Sequence, residues 1–243
     1  MTVFRGLTWI ETKLFVREPF QLFFALAFPL IILVIMAAIF PMTPYSGAPN
    51  STTYYVPATL GMVIAAVAFV GVPVELAAYR ERGVLRRFRA SGIPTWALLG
   101  SEFLVALLIA TIGALLLVAA GRFDGRLVDP IEPLGVVVGL LVGTFGLVGI
   151  GLAVGAVLPN ARAAQGIGLL LFFGGYLLSG GGPPRDAMPD SMRTISDLDP
   201  VTHVMTALQA PWFGPGFDPA EIVLLGALGV VGLIVAALLF RWE

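Results

Sequence analysis

Hydrophobic residues in this chain fall into six long runs, and polar stretches of varying length separate them. Because an α-helix rises 1.5 Å per residue, about 20 consecutive apolar residues cross a hydrocarbon core of roughly 30 Å. The pattern therefore predicts six membrane-spanning helices, over residues 20–40, 54–78, 95–120, 134–158, 163–180 and 221–241.

The composition agrees with this pattern. Hydrophobic residues make up 58% of the 243 residues and charged residues 12%, with a mean hydropathy of +0.95. A soluble globular domain carries about 25% charged residues, roughly twice as many. We therefore predict an all-α membrane protein in which residues 1–243 form a single transmembrane domain. Cysteine is absent, which excludes disulfides, thiol catalysis and cysteine-ligated metals.

Residues 1–19 precede the first span and mix apolar with charged side chains. Such a mixture is typical of an amphipathic helix that lies in the membrane interface, with Trp9 at the level of the lipid head groups. A cleaved signal peptide is the competing interpretation. The apolar run that follows is too long for a signal peptide and has no small-x-small cleavage site, which favours the interfacial helix.

Prolines and glycines predict where the spans bend and where they pack. Pro29 lies inside the first span and predicts a kink. The glycines of the fifth span favour a break near its outer end. Glycines at four-residue spacing in the fourth span predict close approach of neighbouring helix backbones. These glycines are Gly135, Gly139, Gly143, Gly151 and Gly155.

Basic residues predict the orientation of the chain. Ten of the 14 lysines and arginines lie in the N-terminal segment, the loop 80–89, the turn 159–162 and the C-terminus. The other three loops hold Arg122, Arg126, Arg185 and Arg193, together with eight acidic residues. Since basic loops stay in the cytoplasm, both termini and the loop 80–89 are predicted to be cytoplasmic.

The loop after the second span holds five arginines and has helical character of its own. Over residues 80–92, Val84, Leu85 and Phe88 share one face, whereas arginines at i, i+4 and i+7 share another. Such a short helix is a suitable contact for a soluble partner. It is equally suited to binding anionic lipid, at roughly 1 kcal/mol per basic residue, and charge alone does not separate the two.

Groups for chemistry are scarce. The chain has one histidine and no metalloprotease, nucleophile-elbow or Walker motif, so we predict that it is not an enzyme. Glu75, Glu102 and Glu221 are the ionisable residues within or at the edges of the spans, and none is central. We interpret Glu75 and Glu102 as structural carboxylates that reach the arginine loop; a coupling-ion site is the alternative.

Two stretches resemble the integral-membrane subunits of type-2 ABC exporters, in particular the drug- and antibiotic-resistance branch. The first is RERGVLRRFRAS at 80–91, which is similar to the family's coupling segment. The second is LSG at 178–180 followed by Pro184, Pro189 and ISDLDPVTH at 195–203. The chain departs from the family pattern at Gly92, His203 and Gln209, which leaves substrate specificity outside the resemblance.

The resemblance implies half of a transporter in a bacterial cytoplasmic membrane. Two copies, or the chain and a paralogue, would pair along a path where spans 2 and 5 approach. Two separate ATP-binding cassette subunits would bind ATP and magnesium, so this chain would bind no cofactor, and no nucleic acid is implied. The implied ATPase-coupling residues are Glu75, Arg80, Glu81, Arg82, Gly83, Leu85, Arg86, Arg87, Phe88 and Arg89.

Residues 183–220 would form a partly re-entrant outer segment. Its implied gate residues, with those just before it, are Ser179, Gly180, Pro184, Pro189, Asp199, Pro200, Thr202 and His203. The expected function is export of an amphipathic drug-like or lipid-like molecule. The alternatives are an ATPase-independent channel or secondary transporter, and an intramembrane enzyme that acts on lipid through Asp197, Asp199 and His203.

Overall fold

The protein is helical along most of residues 2–39 and 47–239, the two ranges that its computed structural model describes. A 3₁₀ turn, Arg185–Ala187, interrupts the long segment before the last helix. The predicted span ends at residues 40 and 241 lie outside the described ranges. The helices within those ranges are α1 Thr2–Arg17, α2 Pro19–Ile39, α3 Ser51–Glu81, α4 Val84–Ala90, α5 Thr95–Phe123, α6 Pro133–Val157, α7 Ala161–Leu178, α8 Asp190–Ser196, α9 Pro200–Phe213 and α10 Pro219–Leu239.

Six of these helices are long and apolar enough to cross a membrane, namely α2, α3, α5, α6, α7 and α10. This finding confirms the prediction of an all-α protein with six spans. The second span, α3, extends beyond the predicted range 54–78 at both ends. At its start the Asn50 side chain accepts a hydrogen bond of 2.9 Å from the Thr53 amide, so polar residues that resembled a loop form the first helical turn.

The helix α3 lies at the centre of the bundle. In its most apolar 18-residue stretch, 89% of the residues are buried, compared with 22% in the corresponding stretches of α2 and α10. It contacts α2, α5, α6, α7 and α9. The surrounding spans therefore separate most of α3 from lipid.

Two spans contain a π-helical turn shortly before a proline. In α2 the turn is Phe23–Ala27, ahead of Pro29, and in α3 it is Ala66–Gly71, ahead of Pro73. Proline has no N–H, so the carbonyl four residues earlier loses its usual partner and the helix widens to bond five residues apart. The irregularity predicted at Pro29 thus takes the form of a wide turn. The two π turns contact each other.

Glycines of α6 lie against the backbones of neighbouring helices. A methyl group added at Gly151 would collide with the carbonyl oxygen of Ala68, which belongs to the π turn of α3. The same change at Gly139 would bring it 2.5 Å from the Ala207 carbonyl of α9. In α7, Gly168 approaches the Phe69 carbonyl of the π turn in the same way. α7 runs without a break to Leu178 despite its glycines.

The loops gather at two ends of the bundle. We call the end that holds residues 80–95, the turn 157–162 and α1 the arginine end. We call the end that holds residues 122–132 and 179–219 the acidic end. Hydrogen bonds tie the acidic end together across long distances in sequence, since Asn50 Nδ2 donates to the Arg126 carbonyl and Trp212 Nε1 to the Val128 carbonyl.

Candidate functional site

The arginine segment consists of the end of one helix and a second, short one. Gly83 has φ +67°, a left-handed conformation that ends α3 and starts α4 two residues beyond Glu81. Gly92, at φ +71°, and Pro94 then separate α4 from α5. The helix that the sequence predicts over 80–92 is therefore divided, because glycine adopts the left-handed turn without steric cost.

The short helix α4 is fixed by its apolar face. Leu85 is fully buried, and the Phe88 ring packs edge-on against Tyr79 of α3 with 6.1 Å between ring centroids. Arg86, Arg87 and Arg89 are exposed on the other side. The arginines are thus presented outward on a base that is packed directly onto the central helix.

Arg80 and Glu81 contact the neighbouring helices α6 and α7, unlike the outward-facing arginines of α4. The Arg80 guanidinium donates to the carbonyls of Gly155, Ala156 and Leu158, at 3.2, 2.9 and 2.6 Å. These carbonyls belong to the last turn of α6 and the residue after it, so Arg80 caps that helix. The Glu81 carboxylate accepts a 3.3 Å hydrogen bond from the Ala161 amide at the start of α7. Both residues therefore hold the α6–α7 turn.

Three carboxyl groups are buried beneath the arginine segment. They are Glu11 of α1, Glu75 of α3 and Glu102 of α5, with 1%, 8% and 2% of each residue exposed. Ser101 Oγ donates to Glu11 Oε1 at 2.8 Å, and the Tyr79 hydroxyl donates to Glu75 Oε1 at 2.7 Å. Glu11 Oε2 and Glu102 Oε1 have no hydrogen-bond partner within the described ranges.

Burial dominates the electrostatics of this cluster. Loss of hydration raises the pKa of Glu11 from 4.5 to about 8; the hydrogen bond from Ser101 opposes the shift, and the nearby Glu75 adds to it. The sequence predicts that Glu75 and Glu102 reach the arginine loop. Within residues 2–39 and 47–239, neither forms an ion pair with arginines 82–89. The carboxyls point into the bundle, whereas the arginines point out of it.

A cavity of about 300 Å³ lies next to Glu75, between the start of α2, the end of α3 and the start of α7. Tyr79 and Gln21 also line it, and Gln21 Oε1 is buried without a partner among the described residues. The charged residues Glu18, Arg82 and Arg162 complete the polar part of its wall.

At the acidic end, hydroxyl groups fix the start of the predicted outer segment. Ser179 is buried and donates to the Tyr176 carbonyl at 2.9 Å, and Gly180 adopts φ +90°. The Tyr54 hydroxyl of α3 donates to the Gly180 carbonyl at 2.9 Å. The Tyr55 hydroxyl donates to the Gly182 carbonyl at 3.3 Å. The central helix therefore holds this turn directly.

The remaining predicted gate residues begin helices or cap them. Pro184 precedes the 3₁₀ turn and Pro189 precedes α8. Asp199 caps α9: its carboxylate accepts 3.2 Å hydrogen bonds from the amide and hydroxyl of Thr202, and burial raises its pKa. Pro200 occupies the first turn of α9, where its missing N–H costs nothing.

His203 bridges α9 to two other segments. Its Nδ1 lies 2.8 Å from Glu221 Oε2 of α10, and its Nε2 lies 3.1 Å from the Asp197 carbonyl oxygen. The Asp197 carboxylate pairs with Arg185. Of the three residues considered for a lipid-modifying site, Asp197, Asp199 and His203, the two carboxylates bond to Arg185 and Thr202, and His203 bonds to Glu221 and to the Asp197 carbonyl.

Comparison with known proteins identifies the family. The family model described as ABC-2 type transporter matches residues 2–213. The chain belongs to this ABC-2 type transporter family. It is also 25% identical, over 234 residues, to the daunorubicin resistance ABC transporter permease protein DrrB1 of Streptomyces coeruleorubidus. That alignment covers 93% of this chain and 80% of the relative.

Family membership gives the chain its general role. Proteins of the ABC-2 type transporter family are membrane permease subunits of ABC transporters and are not themselves catalytic. The family implies ATP-binding partner subunits and a membrane location. The helix-end residues that the structure brings together thus belong to a membrane permease subunit of the ABC-2 type.

Sequence reasoning missed several residues of the arginine end in this ABC-2 permease. The prediction of an interfacial helix over residues 1–19 assigned no buried position to Glu11. Its spacing from Leu7 and Phe15, at i−4 and i+4, is the signal that could have placed it on the buried face. Ser101 and Gln21 carry no such signal, because a single polar residue in a span does not indicate its neighbour.

Proposed function

We propose that the chain is the membrane-spanning permease subunit of an ATP-driven exporter. Two copies, or this chain and a paralogue, pair in a bacterial cytoplasmic membrane, and two separate ATP-binding cassette subunits bind ATP and magnesium. The arginine end faces the cytoplasm, together with both termini. The concentration of basic residues in the loops of that end supports this orientation.

The packing of α4 onto α3 is the observation that carries this proposal. A helix whose arginines are exposed while Leu85 is fully buried offers a charged contact surface on a fixed base. Tyr79, against which Phe88 packs, lies in the helix that occupies the centre of the bundle. A partner that binds the arginines and closes on ATP would therefore move the central span.

The acidic end is the outer side in this proposal, and α9 closes the path there. Its buried residues Val201, Val204, Met205 and Leu208 pack among α3, α6 and α7, and Val204 and Met205 lie against Gly143 and Gly61, well inside α6 and α3. The substrate is an amphipathic drug-like or lipid-like molecule, because the spans are largely apolar and hold few ionisable groups. The drug named in the relative's description supports that class.

The proposal is tested by co-purifying the chain with an ATP-binding cassette subunit from the same source and reconstituting both in proteoliposomes. ATP-dependent transport and ATPase stimulation are measured across hydrophobic compounds and lipids. The double variant Arg86→Glu, Arg87→Glu is expected to lower substrate-stimulated hydrolysis at least about tenfold, since reversal of interfacial charges costs more than the 1.4 kcal/mol that a factor of ten requires.

The matched control is Arg122→Glu, an exposed arginine at the acidic end, which should leave coupling unchanged. Both variants should insert into the membrane as the wild type does. If the double variant instead inserts poorly while any correctly inserted protein stays coupled, the segment is a lipid anchor. Transport without the ATP-binding subunit would favour a channel or secondary transporter.

A further inference from the structure

Four ionisable side chains line the cavity beside Glu75, two acidic and two basic. Glu18 and the buried carboxyl of Glu75 are the acidic groups, and Arg82 and Arg162 supply positive charge. None of the four forms an ion pair within residues 2–39 and 47–239, although all line one cavity. Opposite charges that surround one space without pairing are available to a ligand that carries both signs.

The deep part of the cavity is a hydrogen-bond acceptor site. Glu75, with 8% of its surface exposed, uses one carboxylate oxygen for the Tyr79 hydroxyl and keeps the other. Gln21, with 7% exposed, has Oε1 buried and unpartnered in the described structure. A buried acceptor without a donor costs about 1–3 kcal/mol, so a ligand that donates hydrogen bonds here recovers that cost. A primary ammonium, with three donors and a positive charge, fits.

The rim has the complementary charge. Arg82 and Arg162 are exposed where α3 ends and α7 begins. Arg82 is the C-cap residue of α3, and it lines the same cavity as Glu75 of that helix. Guanidinium groups at this position favour a phosphate, which arginine binds in a bidentate manner.

Size and apolar lining define the rest of the ligand. The cavity, at about 300 Å³, is at the lower limit for small-molecule sites and holds a head group but not a whole lipid. Leu14 and Phe20, both more than one-third exposed, lie at its edge and offer contact to hydrocarbon chains outside. A quaternary ammonium is disfavoured, because it donates no hydrogen bond to Glu75 or Gln21.

We propose that this cavity binds the head group of an ethanolamine phospholipid, with the ammonium at Glu75 and Gln21 and the phosphate at Arg82 and Arg162. The site deepens the proposed function, on which its role in transport rests, by naming a head-group class that the permease accepts. A lipid that carries both charges and extends its acyl chains toward the membrane would contact both buried acceptors and both arginines of the cavity.

Binding is measured on the purified full-length permease without its ATP-binding subunit, by native mass spectrometry in detergent. Ethanolamine, choline and glycerol phospholipids with identical acyl chains are offered at equal concentration. The ethanolamine lipid should be retained about tenfold more than either of the others, since one charge-assisted hydrogen bond contributes about 1.5–3 kcal/mol. Equal retention of the three lipids would overturn the proposal.

Variants assign the two halves of the site. Gln21→Leu should lower retention of the ethanolamine lipid about tenfold without lowering thermal stability, because it removes a buried acceptor that has no partner in the described structure. Glu75→Gln should also lower retention of the ethanolamine lipid about tenfold.

The double variant Arg82→Gln, Arg162→Gln should reduce the preference for phosphate-bearing lipid over a dodecylamine probe, whereas Arg122→Gln should leave that preference unchanged. If dodecylamine binds the wild type as tightly as the lipid, the cavity is a simple cation site and the proposal fails.

Soluble glycerophosphoethanolamine separates the head group from the lipid. It should compete only weakly, since it lacks the acyl chains that contact the apolar edge. The binding assay needs no ATPase, so its outcome is independent of the exporter hypothesis. Lipid selectivity without ATP-driven transport would refute the proposed function alone, and transport without lipid selectivity would refute this inference alone.

Discussion

The two ends of the bundle differ in how their charged and buried polar residues are paired. The ion pairs seen within the described ranges all lie at the acidic end, and they join Arg122 to Asp129, Arg126 to Asp124, Arg185 to Asp197 and Arg193 to Asp190. His203 and Glu221 also bond to each other there. At the arginine end, Glu11 Oε2, Gln21 Oε1 and Glu102 Oε1 are buried acceptors without a hydrogen-bond partner in the described ranges, and arginines 86, 87 and 89 point outward. At the acidic end, the buried groups without a partner in those ranges are Ser51 Oγ and Gln209 Nε2. The acidic end therefore pairs charges within the chain, whereas the arginine end leaves charged residues and acceptors for a partner or ligand.

Stability alone does not explain this difference. An exposed ion pair contributes about 0–1 kcal/mol, so the pairs at the acidic end mainly fix the geometry of its loops. Buried acceptors without donors at the arginine end cost about 1–3 kcal/mol each. An end that keeps such groups has a use for them, which is consistent with a surface where binding and movement occur.

Removal of the α4 anchor should have the largest effect on this comparison. Leu85→Ala deletes a fully buried side chain and should destabilise the packing of α4 by about 2–5 kcal/mol. Substrate-stimulated ATP hydrolysis should be lost while the ATP-binding subunit still binds the intact arginines. The measurement is ATPase activity together with co-purification of the two subunits.

A leucine at the opposite end is the matched control for that variant. Leu198 is 82% exposed at the acidic end, so Leu198→Ala should change neither quantity. If Leu85→Ala hydrolyses ATP in response to substrate as the wild type does, α4 does not transmit the movement.

The buried carboxyl of α1 should make the arginine end sensitive to pH. The folded-state pKa of Glu11, about 8, exceeds its unfolded value, so the folded protein holds a proton that the unfolded chain releases. Its contribution is intact below pH 4.5 and is lost as pH rises to about 8. Glu11→Gln should therefore melt a few °C above the wild type at pH 8 and at nearly the same temperature at pH 5.

Melting curves of the purified permease at the two pH values measure this effect. Asp129→Asn, an exposed carboxylate at the acidic end, is the control and should leave the pH dependence unchanged. A wild-type melting temperature that did not fall between pH 5 and pH 8 relative to Glu11→Gln would show that Glu11 is not buried as described.

The smallest effects are expected where charges are already paired. His203→Ala removes two hydrogen bonds and leaves Glu221 partly exposed to water, so it should cost about 1–2 kcal/mol, or a few °C in melting temperature. Arg122→Gln breaks a pair exposed on both sides and should cost less than about 1 kcal/mol. Loss of ATPase coupling in either variant would contradict the assignment of coupling to the arginine end.

The spans could be predicted from sequence because the bilayer imposes one requirement, about 20 apolar residues, on every one of them. Local patterns also placed Leu85 and Phe88 on the inner face of α4. The partners of polar residues could not be predicted in the same way. Arg80 caps α6 and Glu75 bonds to Tyr79, because tertiary packing decides which of several neighbours a side chain meets.

The same limit applies to irregular backbone. Pro29 and Pro73 indicate that a hydrogen bond is missing, but not whether the helix kinks or widens. The burial of Glu11 could not be predicted for a related reason. A helix whose composition indicates an interfacial position is assumed to keep its carboxylates in water. Here α1 packs against α5, and the face that carries Glu11 is covered.

The π turn of α3 contacts the backbone of two neighbouring helices directly, at Gly151 of α6 and at Gly168 of α7. Side chains between helices can change rotamer and so accommodate small shifts of one helix against another. At these two contacts the backbones approach each other directly, with no glycine side chain to adjust. We therefore expect any axial shift of the second span to carry the middle of the fourth and fifth spans with it, so that the three helices move as one rigid body.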